Sequence, residues 1–304
     1  SNLSYSFSGV MRATGYPRKS MYTILIGVGL NVILDPVFIF GLNMGIEGAA
    51  VATVISMFVS MLFVMSHFFN TKHQVHFRVG CFRPKVRIIR NIVSIGMAPF
   101  LMNLAASVVN IIMNNQLVRE GGDLAIGAFG IINSFGMLIV MCVLGLCQGM
   151  QPIVGFNYGA GKHKRVKDVL LLTIRIATLI VTVGFLASEL FPRWLVRAFT
   201  DDPDLTAMAV HGMRLGYCLL FLDGFQIVVS VFLQSISKAQ KAVFMGLSRQ
   251  VIFLIPALYF FSRWFGLTGV WLSIPAADLL AAVVAILFLR SERRVFYPSS
   301  GRRV

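Results

Sequence analysis

Apolar residues run in long blocks along this chain, separated by short polar and basic stretches. Blocks at about 20–41, 47–69, 92–117, 126–151, 169–191, 211–235, 245–262 and 267–289 are each long enough to cross a hydrocarbon layer roughly 30 Å thick. Such segments must be helical in lipid, because each backbone N–H and C=O then finds its partner within the segment. A membrane barrel would show short alternating segments instead. Ser1 to Met11 reads as the end of a further helix. The pattern predicts an all-α polytopic membrane protein of about eight transmembrane helices plus the end of a ninth.

Composition agrees. Of 304 residues, 57% are hydrophobic and only 13% charged, and the mean hydropathy is +0.80. A soluble domain needs roughly 25% charged residues to cover its surface, so a soluble enzyme and a disordered chain are both excluded. The net charge of +15 would point to nucleic acid in a soluble protein. Here it sorts by side. Assigning the polar stretches alternately to two faces puts twenty Lys and Arg on one face and four, Arg119, Arg193, Arg197 and Arg263, on the other. The positive-inside rule makes the basic face cytoplasmic. That leaves no role for nucleic acid and places the chain in the inner or plasma membrane.

The chain repeats itself. Gly45-Ile46-Glu47-Gly48 matches Gly266-Leu267-Thr268-Gly269 at an offset of 221 residues, and Pro36 and Pro256 lie 220 apart. Each copy reads as a basic loop, an apolar helix with a proline, a Gly-x-x-Gly turn and a second apolar helix. An even number of spans separates the copies, so they point the same way, as in parallel-repeat transporters. Symmetry implies a twelve-helix protein of two six-helix lobes, of which this sequence would lack about three and a half helices at its N-terminus. The expected organisation is 1–69 as the end of a first lobe, 70–91 as a basic cytoplasmic linker, 92–289 as a complete second lobe, and 290–304 as a basic cytoplasmic tail.

Ionisable residues at membrane depth are costly, which makes them functional candidates. Three acids lie inside spans: Asp35, Asp223 and Asp278. Asp223 sits midway along 211–235, with Gln226, Ser230 and Gln234 on the same helical face. That face would line a cavity, or hydrogen-bond to a neighbouring helix. Asn103, Ser107, Asn110 and Asn114 form a second, uncharged polar face on 92–117, suited to ligand amides, to a Na⁺ ion or to interhelical bonds. Asp35 precedes Pro36, so it either caps a helix that restarts there or joins Asn31 in a polar site. Asp278 follows Pro275 and is a further candidate for the cavity wall. Met137, Met141 and nearby Phe129, Phe135 and Phe156 suggest packing or a soft lining for varied ligands.

Other chemistry is not signalled. His73 and His76 lie in a basic loop without a carboxylate, so no metal is expected. The four cysteines form no CxxC pair and read as packing residues. No nucleotide loop or catalytic motif occurs, so no cofactor is expected and any pumping must draw on an ion gradient.

The segment Gln151-Pro152-Ile153-Val154-Gly155-Phe156-Asn157-Tyr158-Gly159-Ala160-Gly161 resembles the end of the eighth helix of multidrug and toxic compound extrusion (MATE) transporters. Asn31-Val32-Ile33-Leu34-Asp35-Pro36-Val37-Phe38-Ile39-Phe40 and Gly48-Ala49-Ala50-Val51-Ala52-Thr53 resemble that family's fifth and sixth helices, and Arg12-Ala13-Thr14-Gly15-Tyr16-Pro17 its loop after the fourth. The resemblance implies two six-helix lobes in a V, exporting cationic drugs in exchange for Na⁺ or H⁺. It makes Asp223 with Gln226 similar to the Asp-x-x-Gln of the tenth helix, where an acid is implicated in ion coupling. One departure stands out. Many members carry a Glu on the seventh helix, where this chain has Asn103, Ser107 and Asn110.

The expected function is secondary active efflux of small cationic or amphiphilic drugs by a bilayer-embedded monomer, coupled to H⁺ or Na⁺. The alternative is a lipid-linked oligosaccharide flippase of the same superfamily. A flippase would need basic residues within the cavity, whereas the pattern puts Arg175, Arg214 and Arg249 near span ends.

Overall fold

The computed structural model describes residues 2–69, 75–77 and 86–292. Among them the regular structure is entirely helical. The chain forms two units, Ser1–Ile89 and Arg90–Val304. The greater part of the expected linker and tail, with His73 and Cys81, falls outside the described residues.

In the first unit, α1 (Asn2–Ala13) is followed by α2 (Pro17–Pro36), which Pro17 opens in its first turn, where a missing N–H costs nothing. The helix does not restart at Pro36. It runs on through a π-helical turn, Val37–Gly41, and then meets α3 (Gly45–Phe69). Gly45 takes a left-handed φ of 56° at this corner. A Cβ on Gly48 would lie 2.8 Å from the Phe38 carbonyl oxygen, so the second glycine lets the two helices touch. Further along, Ser60 Oγ donates to the Thr23 carbonyl oxygen at 2.8 Å and joins α3 to α2. Met11, Val64 and Phe68 are buried together, with the Phe7, Phe68 and Phe77 rings in mutual contact.

The second unit starts within one helical run, Val86–Gly159, that Gly122 breaks with φ 67° and ψ −162°. The break defines α4 (86–121) and α5 (123–159). Then come α6 (His163–Leu190), the short α7 (Pro192–Arg197) and α8 (Pro203–Gly216). Asp202 caps α8 by accepting from the N–H groups of Asp204 and Leu205.

The span expected at 211–235 is not one helix. α8 ends at Gly216 and α9 (Phe221–Ser235) sets off at 59° to it. Tyr217 pins the corner, donating its hydroxyl to the Ile132 carbonyl oxygen of α5 at 2.5 Å.

The last two helices are longer than their apolar blocks. α10 begins at Ala239, passes through a π-helical stretch, Ser248–Leu254, and ends at residue 265. Gly266 turns the chain with φ 57° and ψ −136° into α11 (267–291). Lys241, near the start of α10, donates to Glu292 Oε1 at 2.6 Å and to Ser291 Oγ at 3.0 Å, which closes the other end of this hairpin.

The internal repeat is visible in this geometry. Gly45 and Gly266 share the left-handed turn, with φ of 56° and 57°. Gly48 and Gly269 share the close approach, since a Cβ on Gly269 would overlap the Phe261 carbonyl.

Trp271, Phe232, Leu117, Ile132, Leu170, Met213 and Leu233 are fully buried in the second unit's core. Gly224 lets α9 press on α6, where its Cβ would meet Val181 at 2.8 Å. Large apolar side chains also cover the outside, among them Val32, Ile33, Leu138 and Leu179. An apolar exterior over helices of this length suits acyl chains rather than water. Met137, Met141 and Phe156 belong to that exposed set, whereas Phe129 and Phe135 pack on the core.

Candidate functional site

Two polar clusters form within these helices, one in each unit. In the second unit the break before α9 puts Asp223 in that helix's first turn, where the positive end of the helix dipole favours a carboxylate. Gln226 lies one turn further on, and its amide donates to the Asp278 backbone carbonyl of α11 at 2.8 Å. Asp223, Gln226 and Asp278 are all buried. Ser230 is half-buried and Gln234 exposed, so only the first part of the expected polar face is enclosed.

Arg249 holds this cluster together. Its Nε donates to Asp278 Oδ1 at 2.7 Å, and its Nη2 lies 2.7 Å from the same oxygen. That Nη2 also reaches Asp223, 2.9 Å from Oδ1 and 3.1 Å from Oδ2. Two carboxylates and one guanidinium leave a formal charge of −1. Charges taken out of water survive only when paired and hydrogen-bonded, and the guanidinium's rigid fork serves both acids at once.

The placement of Arg249 corrects the sequence reading, which put it near a span end. Lys241 marks that end, and Arg249 lies eight residues deeper, about 12 Å along the helix. The helix takes in Ala242, Val243 and Phe244, which lie before the expected span of 245–262. The nearby Lys238 and Lys241 were the usable signal. The π-helical stretch Ser248–Leu254 could not be read from periodicity; its wider turn re-registers the helix face around Arg249.

In the first unit, Asn31 Nδ2 donates to Asp35 Oδ1 at 2.9 Å and to Thr53 Oγ1 at 3.3 Å. The Thr53 hydroxyl in turn donates to the Ala49 carbonyl at 2.9 Å. Asp35 therefore does not cap a restarting helix; it accepts from a side chain one turn back. Among the described residues it forms no ion pair. Asn31 and Thr53 also line a cavity of about 310 Å³ whose wall carries the hydroxyls of Ser8, Thr23, Ser56 and Ser60. The sequence reading had weighed Asn31 but assigned Thr53 no role.

The α4 stripe lies on the surface of the second unit. Asn103, Ser107, Asn110 and Asn114 are exposed on the second unit, on a face that borders buried Val109, Met113 and Leu117. Ser107 donates back to the Asn103 carbonyl at 3.0 Å. Among the described residues no group of three His, Cys, Asp or Glu side chains is placed to hold a metal ion.

Comparison with known proteins gives this geometry a family. The chain is 32% identical over 278 residues to the multidrug export protein MepA of Staphylococcus aureus (strain MSSA476), covering 91% of this chain and 61% of that protein. The corresponding protein of Staphylococcus haemolyticus (strain JCSC1435) is 29% identical over 282 residues, or 93% of this chain and 62% of that one. The chain thus spans about three fifths of the length of these relatives.

Among solved structures, the outward-facing conformation of a multidrug resistance MATE family transporter matches with a TM-score of 0.86 at 26% identity, covering 97% of this chain and 67% of that one. A Pyrococcus furiosus transporter of the MOP superfamily, described as having a binding pocket of reversed polarity, matches with 0.85 at 26% identity, covering 95% and 66%. The sequence profile of the MatE family matches residues 97–260. With its MATE-type helical fold and this similarity along nearly all its length, the chain is a multi-pass membrane protein of the MatE family.

Proposed function

We propose that the protein exports cationic or amphiphilic compounds by antiport with H⁺ or Na⁺, acting as a monomer in the plasma membrane with its linker and tail in the cytoplasm. The observation that carries this reading is the set of carboxylates held within apolar helices: Asp35 with Asn31, and Asp223 with Asp278. A carboxylate in a medium of low dielectric binds a cation mainly through charge. Antiport follows when the drug and the coupling ion compete for it or prefer opposite conformations.

The oxygen donors around Asp35 suit H⁺ or a hard cation. The exposed amides of α4 would be costly against acyl chains, which favours a place beside the transport path. MepA, the relative, is a multidrug export protein, and that activity is what we carry over. The flippase reading needs basic groups free to hold pyrophosphate, whereas Arg249 is engaged by two acids.

The test is gradient-driven efflux of ethidium from proteoliposomes carrying the protein. Asp223→Asn is expected to lower efflux by about tenfold or more, and Asp223→Glu to keep part of it, since it moves the charge by one methylene. If Asp223→Asn pumps like the unaltered protein, Asp223 is structural and coupling belongs elsewhere. Orientation has its own check. In a background without native Cys, a cysteine replacing Asp202 should react with an impermeant reagent on intact cells, and one replacing Lys164 should not. The reverse labelling would invert the topology.

A further inference from the structure

We propose that Arg249 is a tethered cation that occupies the Asp223–Asp278 pair in the empty site, and that a monocationic substrate group displaces it from Asp223. This rests on the export reading above and deepens it by naming what the substrate replaces. The arginine's two attachments differ. Toward Asp278 it presents two nitrogens to one oxygen, Nε and Nη2, both at 2.7 Å. Toward Asp223 it presents Nη2 alone, at 2.9 and 3.1 Å. Asp223 Oδ1 is buried and accepts no aligned hydrogen bond, so that carboxylate has unused capacity.

Gln226 fixes the anchored end by bonding the Asp278 backbone. Accessibility also differs. A third of the Arg249 side chain is exposed, against 10% and 4% for the two acids. The arginine side chain is thus the most exposed member of the cluster. Rotation of the guanidinium can release Nη2 from Asp223 while Nε stays on Asp278.

Exchange is the low-cost event at such a site. Simple departure of the arginine would leave a buried carboxylate unpaired. A cation taking its place on Asp223 keeps that carboxylate compensated throughout. The cluster's formal −1 is matched by one positive charge and exceeded by two. Arg249 therefore limits the site to one added charge, and it competes with the substrate for Asp223.

The experiment is equilibrium binding of ethidium, a monocation, and propidium, a dication, to the 304-residue chain in lipid nanodiscs. The main variant is the double substitution Arg249→Gln with Asp278→Asn, which keeps the cluster at −1 but removes the competitor. Ethidium should bind it about tenfold more tightly than the unaltered chain. Asp278→Asn alone leaves a neutral cluster with the arginine still on Asp223, and should weaken ethidium by about tenfold.

Arg249→Gln alone leaves two carboxylates and should move the propidium-to-ethidium preference about tenfold toward propidium. A purely structural arginine would instead weaken both dyes together. If the double variant binds ethidium no more tightly than the unaltered chain, the tether is wrong and the export reading stands. If the unaltered chain binds ethidium with an affinity that neither Asp223→Asn nor Asp35→Asn changes, the export reading fails and takes the tether with it. The double variant carries no excess charge, so the test survives any failure of Arg249→Gln to fold.

Discussion

In the first unit a carboxylate is held by an amide that also donates to a hydroxyl; in the second, two carboxylates are held by a guanidinium. The hairpins that carry these groups are copies of one another. At the offset of 221 residues set by their glycine turns, Arg249 and Asp278 correspond to Val28 and Met57. Both of those residues line the 310 Å³ cavity of the first unit. Where one copy has an ion pair, the other has an apolar wall beside an open space, and its acid sits at a different level of the helix. The repeat thus preserves the scaffold, two helices joined at a left-handed glycine, while the chemistry on it diverges. An acid in one copy says little about the role of an acid in the other.

The largest expected difference is in stability. Arg249→Leu leaves Asp223 and Asp278 buried without a cation, which should cost about 3–5 kcal/mol. Thermal unfolding in detergent would show it, and adding Asp278→Asn should recover part of the loss. Asp35→Asn should be nearly neutral in the same measurement, because the new carbonyl still accepts from Asn31. Equal losses for the two would mean that Asp35 has a cationic partner after all.

The glycine pair tests the shared scaffold at intermediate size. Gly48→Ala would bring a methyl within 2.8 Å of the Phe38 carbonyl oxygen, and Gly269→Ala would press harder on the Phe261 carbonyl. Both should destabilise by about 1–3 kcal/mol, with Gly269→Ala the worse. If either is silent in thermal unfolding, that hairpin opens more readily than its twin, and the structural equivalence is looser than the matching φ values suggest.

The same residues show what could be read before the structure. The Gly-x-x-Gly turns were legible because a left-handed corner and a close approach both select glycine, and the offset of 221 made them a pair. The apolar blocks were legible because, in lipid, long continuous apolar runs can satisfy their backbone only as helices. Asp223 and Gln226 shared a face on spacing alone. Arg249 was not seen as their partner, because its contacts cross 26 and 29 residues of sequence and depend on a π-helical register that no α-period contains. The break at Tyr217 was hidden too: nothing between 211 and 235 is a proline, and the corner is fixed by a hydroxyl reaching Ile132, 85 residues away. Local pattern reports helices and faces; which faces meet is settled by packing.

The smallest expected effect separates a proton site from a cation site in the first unit. Thr53 accepts from Asn31 over a long 3.3 Å and donates its own hydroxyl to the Ala49 carbonyl. Thr53→Val removes the hydroxyl and keeps the branched shape. A hydrogen bond between membrane helices is worth roughly 0.6 kcal/mol, so if Thr53 only steadies Asn31, ion-dependent dye release should shift by about threefold. Asn31→Ala should do more, because one amide makes both bonds. A hydroxyl that ligates Na⁺ directly would behave differently. Thr53→Val would then abolish stimulation by Na⁺ as completely as Asp35→Asn, while leaving the response to a proton gradient in place. Measuring efflux under each gradient in turn distinguishes the two cases. A threefold change under both gradients assigns Asp35 the proton, and a loss confined to Na⁺ assigns the cluster a metal cation.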